Sequence, residues 1–137
     1  MKHEFIPYEQ AVALKELGFD EPCILLYRGL DTQPVCQMGY EFKTEKNSDY
    51  NDETNYWLTV PLYQQAFRWF REKHGVYTEI FVDDDKTFGF MITHFTSEGR
   101  VDSPVKYGHI TYEEAESACL DKLIQIVTET TESRHTK

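Results

Sequence analysis

Apolar positions recur along the chain with two rhythms, one helical and one alternating, and each predicts an element. Ala11, Leu14 and Leu17, with Val12 beside them, return every three to four residues between Pro7 and Gly18. This predicts a helix over 7–17, with Pro7 suited to its first position and Gly18 to the residue just past its end. The next stretch, "EPCILLYRG", is a short apolar run bounded by Pro22 and Gly29. "PVCQMGYEF" alternates, with Cys36, Met38, Tyr40 and Phe42 on one face and Gln37, Gly39 and Glu41 on the other. The two predict a hairpin with one wet face.

Residues 43–55, "KTEKNSDYNDETN", are polar and turn-rich and read as a long surface loop or a linker within the domain. "YWLTV" then leads into a second helix over 61–74, closed by Gly75. "YTEIFVDD" and "KTFGFMITHF" flank an acidic turn and predict a second hairpin. "SEGRVDSP" reads as a loop, and "YGHI" is placed to add one more short strand. The last helix starts at Thr111, where Thr111 and Glu114 have capping-box spacing, and its inner stripe is Ala115, Cys119, Leu120, Leu123, Ile124 and Val127. Beyond Thr128 the sequence "TETTESRHTK" has no apolar anchor and is expected to fray.

The order α-β-β-α-β-β-α predicts an α+β fold, with an antiparallel sheet of four to five strands from two hairpins covered by three helices. One domain over 1–128 with a tail over 129–137 is expected from the length of 137 residues. Aromatic residues make up 15% of the chain, which favours a packed core over disorder.

No run approaches the roughly 18–20 apolar residues that span a bilayer, and "MKHEFIPYEQ" has no apolar segment after its lysine. A cytoplasmic location without membrane contact is therefore expected. Cys23, Cys36 and Cys119 are an odd number without a C-x-x-C pair, each inside an apolar run, and read as buried thiols of a reducing compartment. The formal charge of −10 argues against nucleic acid, whose binders gain affinity from basic side chains. It favours solubility or a basic protein surface as partner. A monomer or a homodimer through a sheet edge fits equally well.

The segment "VPLYQQAFRWFREKHG" tests the nucleic-acid idea directly. On a helical wheel Leu62, Tyr63, Ala66, Phe67, Trp69 and Phe70 share one arc, with Gln64, Arg68, Arg71 and Glu72 opposite. Rings and cations do not interleave as a base-stacking platform requires, so this is a core helix.

Candidate chemistry is sparse. Asp83, Asp84 and Asp85 at a hairpin tip lack calcium-loop spacing and suit a turn, so no metal is expected. The five histidines show no zinc spacing, and neither a phosphate-binding glycine loop nor a nucleophile elbow occurs, so no cofactor is expected either. His94, His109 and Cys119 are the reactive side chains worth testing for catalysis. For binding, the best candidates are Tyr50, Tyr56 and Trp57 beside the long loop, since large rings are enriched at interface centres, together with Arg68 and Arg71.

Three blocks carry a resemblance: "FIPYEQAVALKELGFDEPC", "VPLYQQAFRWFREKHG" and "TYEEAESACLDKLIQIV". Together, over most of the chain, they resemble a group of small uncharacterised proteins from bacteriophages, prophages and mobile elements of Bacteroidota. The resemblance implies an accessory protein in a bacterial cytoplasm and brings no catalytic residue with it. The expected function is non-enzymatic binding of a host or phage protein. The alternative is a small-molecule binder for a nucleotide-like ligand, with Trp57 stacking and Arg68 or Arg71 on phosphate.

Overall fold

A computed structural model of the protein describes residues 4–28, 34–36, 46–50 and 57–135. The chain divides into two compact units, Met1–Leu62 and Tyr63–Lys137.

In the first unit α1 (Tyr8–Glu16) follows Pro7, whose extended backbone (ψ 166°) makes it the N-cap, one position before the first helical residue. The helix ends in a Schellman turn. Gly18, at φ 96°, donates its N–H to the Lys15 carbonyl (3.0 Å), and Phe19 donates to Leu14 (2.9 Å). Leu14 and Phe19 are both buried. The turn that stops the helix thus also delivers a ring to the core.

Behind it, β1 (Leu25–Arg28) is the centre of a three-stranded antiparallel sheet in the order β2-β1-β3. It pairs on one side with β2 (Pro34–Cys36), Leu26 opposite Val35, and on the other with β3 (Trp57–Val60), Leu26 opposite Thr59. Leu25, Leu26 and Tyr27 are all buried, as a strand with neighbours on both sides requires. Tyr8 meets Tyr27 edge-on at 5.1 Å. Of the polar stretch 43–55, residues 46–50 are described, and Asn47–Tyr50 form a 3₁₀ turn. Asn47 is buried there. Its amide Nδ2 donates to the Phe19 carbonyl (2.9 Å), and its Oδ1 accepts the Thr59 N–H (2.9 Å).

In the second unit α2 (Tyr63–His74) buries Tyr63, Ala66, Phe67, Trp69 and Phe70 and exposes Gln64, Arg68, Arg71 and Glu72. The arc predicted from the sequence is the buried one. Gly75, at φ 65°, ends the helix and turns the chain into the sheet. There β4 (Val76–Val82) pairs with β5 (Phe88–Thr96), β5 pairs with β6 (Gly99–Asp102), and β7 (Lys106–His109) pairs with the start of β5 beyond a bulge. α3 (Tyr112–His135) and α2 pack on this sheet and on each other.

The cap of α3 departs slightly from a reciprocal box. Thr111 Oγ1 accepts the Glu114 N–H (3.1 Å), but the Glu114 carboxylate accepts the N–H of Ile110 (3.1 Å), the residue before the cap. Ala115, Cys119, Leu120, Leu123 and Val127 are buried as the stripe predicts, and Ile124 is half-buried.

The α+β class and the element order are those expected. The strands divide between two sheets, and "WLTV" takes the open edge of β1 as a third strand of the first. "SEGRVDSP", read as a loop, contains β6. Gly99, at φ 119°, is what allows the tight turn after Thr96 that folds this polar segment back on β5. α3 continues past Thr128 to His135, and local bonds form where Glu129 and Thr130 are exposed. Thr130 Oγ1 donates to the Ile126 carbonyl (2.8 Å), and Gln125 Nε2 to Glu129 (3.1 Å).

Candidate functional site

Side chains of β4 and β5 alternate between two faces. The helix side carries Val76, Thr78 and Ile80 opposite His94, Ile92 and Phe90, among which Val76, Phe90 and Ile92 are buried. The other side carries Tyr77, Glu79 and Phe81 opposite Thr93, Met91 and Gly89, with Phe95 beyond. This outer face is rich in accessible rings. Tyr77 is 44% exposed, Phe95 63% and Tyr107 64%.

The rings form two pairs at opposite ends of the face. Tyr77 and Phe95 meet edge-on with centroids 6.1 Å apart, and Phe81 meets Tyr107 at 5.7 Å. Gly89 makes room for the second pair, since a Cβ there would stand 2.7 Å from Phe81 Cζ and would strike the Lys106 carbonyl.

Between the pairs the surface is polar. Arg100 Nε donates to Asp102 Oδ1 (2.9 Å), and Thr93 Oγ1 donates to the same oxygen (2.7 Å). The bonds from Arg100 and then Thr93 hold the Asp102 carboxyl below its ordinary range, and the bond to Asp102 raises the Arg100 guanidinium. The pair cancels its own charge, and Glu79 leaves the face with a negative excess. The face thus carries two aromatic pairs on either side of a polar centre.

The residues singled out in the sequence are scattered. Arg68 and Arg71 lie on the exposed side of α2, away from its ring-bearing arc. Trp57 opens β3, opposite Arg28, and Tyr50 closes the 3₁₀ turn. Tyr56 lies outside the described residues. His94 pairs with Val76 and His109 with Phe88, six residues apart on β5, which at about 3.3 Å per residue separates them by roughly 20 Å. "YGHI" joins the strand that bears His94 at its far end. His109 stacks on Phe90 instead (5.9 Å).

Cys119 is fully buried, and burial, with a smaller contribution from Glu116, pushes its thiol up to about 12. A protonated, inaccessible thiol is no nucleophile. Cys23 is also buried and points its Sγ at the Glu21 carbonyl (3.5 Å). At the hairpin tip Asp85 Oδ1 accepts both the Thr87 N–H (3.0 Å) and the Thr87 hydroxyl (2.6 Å). This is turn chemistry, and those bonds lower its carboxyl. No group of three or more His, Cys, Asp and Glu side chains with metal-site geometry occurs among the described residues, and none of the described helices is long and apolar enough to cross a membrane.

The outer-face rings were missed at the level of sequence although a signal was present. In "YTEIFVDD" and "KTFGFMITHF" large apolar residues fall on both parities, which a strand with one wet face does not need. No protein family, curated protein or solved structure matches the chain.

Proposed function

We propose that this is a non-enzymatic accessory protein that binds another protein through the outer face of the β4-β5-β6 sheet. The observation that supports the reading most is the set of accessible rings Tyr77, Phe95 and Tyr107 on one sheet face. The partner suited to it has apolar groups to meet the two ring pairs and a basic group between them, to meet the Glu79 excess within a chain of charge −10. Nucleic acid suits it less. The rings could stack bases, but Arg100, the cation of β6 between the ring pairs, is already bonded to Asp102. A phage or mobile-element protein acting on a bacterial host component fits this chemistry, as does cytoplasmic action.

The test compares the intact protein with Phe95→Ser/Tyr107→Ser, two exposed positions whose loss spares the core. Each is immobilised and exposed to lysate of a Bacteroidota host. A protein with a basic surface, retained by the parent chain, lost with the double variant and kept by Arg68→Ala/Arg71→Ala, supports the reading. Equal retention by the outer-face variant refutes it. Self-association abolished by the double variant would assign the face to a second copy of the chain instead.

A further inference from the structure

On the helix side of the same sheet, the last turn of α2, the strands β4 and β5, and α3 surround a cavity of about 530 Å³. That volume lies within the roughly 300–1,000 Å³ of ligand-binding pockets. Val76 and Val127, both buried, give it an apolar floor. Lys73, His74 and His94 line it as well, and among its described lining residues there is no Asp or Glu. In a chain with 24 acidic and 14 basic residues this is a local reversal of sign.

Part of that reversal has a local cause. Arg71, Lys73 and His74 occupy the last turn of α2, where cations meet the negative end of the helix dipole. The dipole does not account for His94, which comes from the middle of the sheet and pairs with Val76 and Val101. Its Nδ1 is buried and has no hydrogen-bond partner in the structure. Buried polar atoms are nearly always paired, and this unpaired nitrogen belongs to a residue that lines the cavity, so it leaves His94 with bonding capacity to offer a ligand there.

We propose that this cavity binds a small phosphate-bearing metabolite, with the phosphate at Lys73, His74 and His94 and the remainder against Val76 and Val127. A compact ammonium serves phosphate as a point charge, and the oxygens of a phosphate can take several donors at once. The cavity is centred on the helix side of the sheet, and Phe95 borders both it and the outer face. The site differs from the Trp57, Arg68 and Arg71 arrangement that the sequence suggested for a nucleotide.

The experiment is a titration of the full chain with inorganic phosphate, AMP and adenosine, followed by calorimetry and by the NMR signals of the histidine rings. Phosphate and AMP are expected to bind while adenosine does not, with His74 and His94 shifting and His109 unmoved. Lys73→Glu changes an exposed helix position without disturbing the core, and it should weaken AMP at least about tenfold. His94→Leu should do the same if it folds, and Lys73→Glu decides the matter if it does not. Absence of binding by both phosphate and AMP at millimolar concentration overturns the proposal. So does AMP affinity unchanged by Lys73→Glu, or a ring response at His109 in place of His94.

Discussion

Phe81 lies across Gly89, its partner on the neighbouring strand, and a methyl group on Gly89 would meet the ring Cζ at 2.7 Å. The backbone carbonyl of Lys106 crowds the same point. Gly89→Ala is therefore expected to cost about 1–3 kcal/mol through overpacking, read as a lower urea midpoint. Adding Phe81→Ala should recover only part of the loss, because the carbonyl remains. Full recovery would show that the ring alone sets the requirement for glycine.

Asn47 joins the chain after α1 to β3 through two buried hydrogen bonds. Asn47→Leu removes both bonds and takes the acceptor from the buried Thr59 N–H. At about 1–3 kcal/mol for a buried group that loses its hydrogen bond, the expected loss is on the order of 1–3 kcal/mol or more. Equilibrium denaturation measures it, and a loss below about 1 kcal/mol would mean that the 3₁₀ turn does not anchor β3 in solution.

For α3 the cap makes a smaller, separable contribution. Thr111→Ala removes the acceptor for the Glu114 N–H and should cost about 1 kcal/mol. Glu114→Ala should cost less, since the Ile110 N–H that it caps is exposed and can turn to water. Thermal melts of the two variants give the order, and a reversed order would contradict the assignment of Thr111 as the principal cap.

Burial of Cys119 makes stability fall in alkali. Its thiol stays protonated in the folded protein up to about 12, whereas in the unfolded chain it ionises near 9.0. Unfolding then releases a proton between these values, so this contribution is intact below about pH 9 and is lost as the pH climbs from there towards 12. The slope is up to about 1.4 kcal/mol per pH unit for one group. Tyr63, also raised by burial, adds to the fall in the same direction. Cys119→Ala should reduce the alkaline slope, and iodoacetamide should spare Cys119 at pH 8 until denaturant is added. Rapid labelling of the native protein would contradict the placement of this thiol.

Short-range physics decided much of this protein before any tertiary contact formed. Gly18 and Gly75 end helices because each needs a positive φ, Thr111 starts one because its hydroxyl faces the N–H of Glu114, and the aromatic arc of α2 buries itself by periodicity alone. The charge of −10 is likewise a property of the sequence. Pairing between distant segments belongs to another level. That "WLTV" joins β1, that "GRVD" folds back on β5, and that His109 reaches Phe88 and not His94 depend on register, which no local pattern states. Both candidate sites share that origin. The outer rings Phe81 and Tyr107 are 26 residues apart in sequence and 5.7 Å apart in space, and Lys73 meets His94 at one cavity only because β4 and β5 pair as they do. Hydrogen-bond registry between strands brought these residues together, and it is settled by the whole sheet at once.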